Sequence, residues 1–596
     1  MSLFAELKRR NVFRVALLYI IAGWLILQVA DVLFEQLDIP GWAFRFVFAL
    51  LLICFPLVMV FSWVFEITPE GIKREHDIAA QSSITAHTGR KINRATTVLL
   101  ILTILVVIAD RLMPESAPEP KLQLLEQPAD QAMVTTKPVS TVDNKSIAVL
   151  PFVNMSGDKE NEYFSDGLAE ELLNSLVAIK DLKVAGRTSS FAFKGKNEDL
   201  RIIGKKLNVA HILEGSVRKA NNRVRITVQL IKVEDGYHLW SESFDRELDD
   251  IFAIQEEIAR QVTAALSIAL LGSDTSFEGL SGTNDTQAWE AYLRGSYIRQ
   301  QNLDDPDALL RAEQQMHKAI EIDPGFVKAQ VGLFMVVWHQ NRNGYRPFNE
   351  GMALQQQLIE TASALDPANS GVQQIMSRQY VLQYEWDKAE IAANKAIELS
   401  PGDVDALLQL VTIAYLNGDH ETAVNHAKKA AELDPLSISA LQYLALTYAF
   451  SGQCAEVRKI VQRAVVIEPE HSRTRYRLGE CLLVHEASPA MALAIFEQEP
   501  LNWARLTGIA LANIALGNNA AALAALEELK QSSGDSSAYQ YAQIDAYSGD
   551  TESALAWLQR AYEIKDPGLT QMKIDSFLDS VRDDERFKAL QKKLGF

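Results

Sequence analysis

Several groups in this 596-residue chain have the types and spacing to carry chemistry. Asp166, Glu170 and Glu171 cluster near the start of a predicted helix, and paired carboxylates can run general acid–base work. Acids in a first helical turn are also what the helix dipole favours, and that plainer reading is preferred. His211 and His238 fall on different strands of one predicted sheet. In a meander the strand beginning at Arg223 separates them, so both read as structural histidines rather than metal ligands. Ser189-Ser190 lacks the glycine-flanked elbow that exposes a nucleophilic serine. His485-Glu486 lacks the second histidine a zinc protease needs, and Gly186-Arg-Thr-Ser-Ser is a lone glycine before hydroxyls, not a phosphate loop. No cyclase core with paired metal-binding carboxylates is recognisable. The residues therefore predict a protein that is not an enzyme, with no catalytic, cofactor or metal site.

The elements that would position any site begin with a change of solvent. Val12–Phe34, Ala43–Phe65 and Thr96–Met113 are apolar, and the first two are long enough at about 1.5 Å per residue to cross a core of about 30 Å. Lys8, Arg9, Arg10 and Arg14 precede or open the first stretch, and Lys73, Arg74, Arg90, Lys91 and Arg94 lie between the second and third. The turn Glu35–Trp42 has no Lys or Arg. By the positive-inside rule the chain starts in the cytoplasm, crosses three times, and leaves everything from Pro114 outside. The third stretch is short and ends in Ala109-Asp110-Arg111, so lying flat on the cytoplasmic face is its alternative. The first run is too long, and followed too closely by a second, for a cleaved signal peptide. Asp31 lies within a turn of the outer end, where water contact explains it.

Residues 114–145 are rich in Pro, Ser, Thr, Glu and Gln and read as an extended linker. Net charge is −18 overall, and residues 1–113 carry 11 Lys and Arg against 9 Asp and Glu. The soluble part is therefore strongly acidic, which argues against nucleic acid as a ligand. Of three cysteines, Cys454 and Cys481 lie in the C-terminal half; they could pair in an oxidising compartment or stay separate buried thiols.

Residues 146–271 read as an α/β sandwich-type domain with a mixed sheet. Ile147–Phe152 and Leu182–Ala185 are short strands, and Leu200–Leu207 is a short helix. Between the two strands runs a helix with Phe164, Leu168, Leu172 and Leu176 on one face. From Arg223 eight residues alternate polar and apolar, the period of a half-wet strand, joined through Asn221-Asn222 to Ala210–Arg218. Tyr237–Asp245 adds a neighbour, and Asp249–Leu271 closes the domain as a helix with Ile251, Ile254, Ile258, Val262 and Leu266 inward.

Ala148-Val-Leu-Pro-Phe, Ser156-Gly-Asp, Phe164-Ser-Asp-Gly-Leu, Leu213-Glu-Gly-Ser-Val-Arg and His238-Leu-Trp-Ser-Glu together resemble the TolB amino-terminal-like domain, related to FlgO and CsgG-type domains. Phe4-Ala-Glu-Leu-Lys-Arg-Arg-Asn-Val-Phe-Arg and Thr68-Pro-Glu-Gly-Ile-Lys resemble a membrane module that accompanies this domain in many bacterial proteins. Some relatives carry cyclase or regulator domains and lend their labels to the rest. The resemblance implies a Gram-negative envelope and a domain that binds and assembles rather than catalyses.

Pro367, Pro401, Pro435 and Pro469 stand 34 residues apart, and Ala362, Ala396, Ala430 and Ala464 each precede one by five. This is the tetratricopeptide period, in which small residues let paired helices approach and proline ends the second. An all-α superhelix of about seven units is expected over 286–580, with 582–596 as a capping helix. From Pro324 to Pro367 the interval is 43, an insertion of nine near Asn341–Asn349. Its Tyr345 and Phe348 are the best candidates for partner contact, because core packing does not require them. Tyr380, Tyr415 and Tyr448 recur at the repeat period and read as packing. The expected molecule is multi-domain and lies in the bacterial inner membrane as a three-pass protein, N-terminus cytoplasmic and bulk periplasmic. It serves as a scaffold or adaptor whose partners are proteins held in the repeat groove and, for its anchor, the lipid bilayer. A homo-oligomer is compatible. The alternative is a membrane receptor relaying a periplasmic signal to a separate cytoplasmic partner.

Overall fold

The structure, a computed structural model, describes residues 143–266 and 282–596, with shorter stretches between 16 and 74. Met1–Leu122 and Gln123–Phe596 form two compact units. In the first, the Tyr19 hydroxyl donates to the Leu51 carbonyl at 2.8 Å and the Tyr19 and Phe55 rings lie 5.5 Å apart. β1 (Phe65–Thr68) and β2 (Gly71–Arg74) make an antiparallel hairpin. Among the described residues no helix is long and apolar enough to cross a membrane. The three expected spans, Val12–Phe34, Ala43–Phe65 and Thr96–Met113, lie wholly or largely outside the described residues, as does the linker up to residue 142.

The second unit opens with a mixed sheet ordered β5-β3-β6-β7-β8. β3 (Ser146–Val149) runs parallel to β5 (Lys183–Val184) and to β6 (His211–Ala220). The expected strand Ile147–Phe152 is interrupted because Pro151 offers no N–H to the ladder; pairing with β6 resumes at β4 (Val153–Asn154). β6, β7 (Arg223–Lys232) and β8 (His238–Glu247) form the expected meander. Asn221 takes φ 53° in the tight turn, a region asparagine tolerates. Alternation decides the faces of β7: Val224, Ile226, Val228 and Leu230 are fully buried while Arg223 and Arg225 are exposed.

Against the buried face lie α1 (Glu162–Val177) and α4 (Ile251–Ala265). Leu168, Leu172 and Leu176 of α1 are essentially sealed from water, worth roughly 1.5–3 kcal/mol each. α2 (Arg187–Phe191) follows β5, and α3 (Leu200–Leu207) covers the start of β6 from the other side through Ile203 and Leu207. The closing helix expected to reach Leu271 is described to Ala265.

Beyond lie eight helix pairs, one more than the expected seven. They are α5 (Thr286–Gln301) with α6 (Pro306–Ile322), α7 (Val327–Arg342) with α8 (Phe348–Leu365), and α9 (Ser370–Leu382) with α10 (Trp386–Leu399). Next come α11 (Val404–Leu416) with α12 (His420–Leu433), and α13 (Ile438–Phe450) with α14 (Cys454–Ile467). Last are α15 (Thr474–Val484) with α16 (Pro489–Phe496), α17 (Asn502–Ala515) with α18 (Asn519–Ser533), and α19 (Ala538–Ser548) with α20 (Thr551–Ile564). Ala389, Ala396, Ala430 and Ala464 are fully buried where helices meet. The insertion of nine is absorbed mostly as longer helices, since α7 and α8 have 16 and 18 residues against 13 and 14 in α11 and α12.

The first helices of successive pairs touch one another along the whole array, so they line its inner side. The result is a tetratricopeptide-like superhelix. After α20 two short turns, Pro567–Gln571 and Ser576–Val581, lead to α21 (Glu585–Lys593).

Candidate functional site

The acids singled out in the sequence do not serve a helix dipole, because Asp166, Glu170 and Glu171 lie beyond the first turn of α1. They hold cations instead. Lys194 Nζ reaches Asp166 at 2.5 Å, Arg187 Nε donates to Glu170 at 2.9 Å, and Lys328 of α7 pairs with the buried Glu171. Gln300 of α5 donates to Glu170 at 2.7 Å, and Arg294 reaches the Tyr163 hydroxyl at 2.9 Å with its guanidinium 4.0 Å over that ring. Phe164 meets Trp289 edge-on at 5.5 Å. α1 is therefore the face by which the α/β domain docks on the first helix pairs.

A second contact lies much farther along the chain. Asp434, which ends α12, accepts from the Ser189 backbone N–H at 2.7 Å and from its hydroxyl; the Ser189 oxygen in turn accepts from the Leu436 N–H at 2.7 Å. The Gly186 N–H donates to the Leu433 carbonyl at 2.6 Å. Ser189, read from sequence only as a nucleophile without an elbow, is a docking residue. Burial pushes the Asp434 carboxyl up, against the pull of its hydrogen bonds. His211 is buried with Nδ1 3.2 Å from the Ser146 carbonyl, and His238 lies across β7 from it, paired with Ile231. Among the described residues no cluster of three or more metal-ligating side chains forms.

The inner side of the array is polar in two places. Toward its end, Arg477 of α15 donates to Glu480 at 2.6 Å and to Gln571 at 3.2 Å, while Asp575 accepts from Tyr539 and Gln543 at 2.7 Å each. Glu480 and Asp575 are buried, and burial raises both carboxyls. The segment after α20 thus fills this part of the inner face and reaches back to α10, where Trp386 Nε1 donates to the Leu594 carbonyl at 2.9 Å and stacks on Phe596 at 5.3 Å. Nearer the start, Trp338 of α7 has the Arg378 guanidinium 4.6 Å and the Arg342 guanidinium 5.4 Å from its ring centre. No sequence pattern singled these out, since each lies in a different pair or turn of helix.

Tyr345 and Phe348 are partly exposed, at 43% and 37%. The Tyr345 hydroxyl donates to the Asp304 carbonyl at 2.7 Å. Between them Arg346 reaches Glu313 of α6 at 2.6 Å, and the nearby His317 ring with hydrogen bonds from Gln340 and Arg346 helps hold that carboxyl down to about 2. Tyr415 and Tyr448 are buried within the array, as the packing reading expects, and Tyr380 is half-buried. Cys454 and Cys481 are bonded, with Cα atoms 5.6 Å apart, joining α14 to α15.

Residues 143–261 match the family described as HilA/YgeH-like transcriptional regulator, second domain. Over 223 residues the chain is 40% identical to "Putative adenylate cyclase 3" of Rhizobium meliloti (strain 1021), covering 36% of this chain and 37% of that protein. The chain thus spans well under half the length of the curated relative it matches. Among solved structures it is similar to the TPR protein YrrB, at 16% identity over 36% of this chain and 97% of that one, TM-score 0.25. It is also similar to yeast Tom70, at 14% identity over 58% of this chain and 83% of that one, TM-score 0.33. A tetratricopeptide repeat protein from Parabacteroides merdae is 15% identical over 52% of this chain and all of that one, TM-score 0.28.

Proposed function

We propose that the protein is a membrane-anchored, non-enzymatic scaffold that holds protein partners on its helical array, outside the cytoplasm of a Gram-negative cell. The observation that carries this reading is the array's inner side near its start, where α7 and α9 display Trp338, Arg342 and Arg378. Surfaces of this kind hold extended peptides or helices. The Cys454–Cys481 bond supports an oxidising compartment, and the charge bias around the three apolar stretches supports the same side. The α/β domain, read as a TolB amino-terminal-like module, supplies a second contact, and its similarity to a regulator domain fits a part reused in several assemblies. The cyclase name belongs to a relative of which this chain spans about a third, and it is not carried over.

Topology tests the reading. A reporter active only in the periplasm, fused after Leu125, is expected to be active in cells, and one active only in the cytoplasm is expected to be silent. The opposite pair of results would place the array among cytosolic proteins and overturn the envelope reading.

A further inference from the structure

On α7, Lys328, Val331, Met335, Trp338 and Arg342 recur at the spacing of one helix face, and none of them is fully buried. The stripe is apolar with a cation at each end. At its head, Lys328 already holds Glu171, a carboxylate presented by the docked helix α1. At its other end the cations have no such partner. Among the described residues Arg299, Arg342, Arg378 and Arg473 form no ion pair and donate no side-chain hydrogen bond; the Nε atoms of Arg299 and Arg378 are buried and unsatisfied.

Arg342 and Arg378 meet at the Trp338 ring, 5.4 and 4.6 Å from its centre, close enough to act together. His339, beside Trp338 at 4.9 Å, is held neutral to about 3 by burial and then by Arg299, Arg342 and Arg378. Arg473, which precedes α15, is held down by burial and then by Arg342. The nearby acids are mostly committed: Glu170 to Arg187 and Gln300, Asp403 to Gln374 and the Ala406 N–H, and Glu499 to the Arg473 and Tyr476 N–H groups. Asp405 is the exception, exposed and acting on Arg299. Unpaired like charges in a chain of net charge −18 repel one another and call for an anion from elsewhere.

We propose that Arg299, Arg342 and Arg378, with the apolar stripe ending at Trp338, receive an acidic amphipathic segment of a partner protein. The apolar stripe favours a peptide over a bare phosphate, and α1 at Lys328 shows in cis the kind of group this face accepts. The inference rests on the scaffold reading and gives its partner a chemistry.

The test is fluorescence anisotropy on the full chain in detergent micelles, with a short labelled peptide alternating Glu and Leu and its Gln-for-Glu counterpart. The Glu peptide is expected to bind at least about tenfold more tightly than the Gln peptide, and the R342Q/R378Q variant to lose about tenfold for the Glu peptide only. R378K keeps part of the binding. The double variant should melt no lower than the parent, because relief of repulsion offsets any lost contact; that separates a binding role from a structural one. Equal affinity for the two peptides, or an unchanged Glu-peptide affinity in R342Q/R378Q, overturns the acidic assignment and leaves the scaffold reading standing. Displacement of the Glu peptide by pyrophosphate but not by excess unlabelled peptide overturns it in favour of a small-anion site. If neither peptide binds, and cross-linking from the inner face in cells yields no partner, both readings fall.

Discussion

Gly186 has no room for a side chain. A Cβ there would stand 2.4 Å from the Asp434 Cγ, so the residue is glycine because two chain segments must touch. Gly186→Ala is expected to push the carboxylate away from Ser189 and forfeit charge-assisted hydrogen bonds worth roughly 2–3 kcal/mol. Thermal melts of G186A and S189A would show it, with G186A the more destabilised. A second residue responds to pH. Burial pushes the Asp545 carboxyl up to about 6, whereas an unfolded aspartate titrates near 3.9. The folded state therefore holds the proton more tightly, and its advantage is fully present below about pH 4 and lost as pH rises through about 6. D545N should flatten the stability curve between those values and gain about 1–3 kcal/mol relative to the parent at neutral pH. Equal pH dependence of parent and variant in chemical denaturation would contradict this assignment. Neither Gly186 nor Asp434 was legible beforehand, because 245 residues separate Ser189 from its acceptor and no local pattern encodes so distant a contact.

Elements were easier to read than contacts. The alternation from Arg223, the turn at Asn221-Asn222 and the helix Leu200–Leu207 all appear where their periodicity placed them, because each depends on neighbours within a few residues. The proline phase likewise located the early repeats, and small residues (Gly508, Ala554 and Ala561) marked α17 to α20; the expected seven fell one short at α15 and the short α16, a pair that keeps neither signal. Position overrode the helix-dipole reading of α1, since its acids lie past the first turn and pair with Lys194, Arg187 and, in the array, Lys328. The disulfide makes a prediction at this scale. It closes a loop across a sequence separation of 27 between α14 and α15, and in the chain-entropy account such a link is worth roughly 3–4 kcal/mol. C454S/C481S and reductant treatment of the parent should lower the melting temperature alike, and a parent insensitive to reductant would contradict it.

Within the unit Gln123–Phe596 the α/β domain and the array share buried contacts at α1 and at Asp434. They are therefore expected to unfold in one transition despite their different folds, a point calorimetry can check. Lys328→Ala together with Asp434→Ala should split the transition in two. A tetratricopeptide-like array, in which helix pairs pack mostly on their neighbours, behaves mechanically like a spring. The bond from Cys454 to Cys481 locks one joint of that spring. Under tension along the array, helix pairs on either side can open in turn, yet the chain between the two sulfurs adds nothing to the extension. Load applied at α19 and α20 is passed across α14 and α15 as through a clamp. The joint between the fifth and sixth helix pairs is the one place where the array cannot lengthen without breaking a covalent bond.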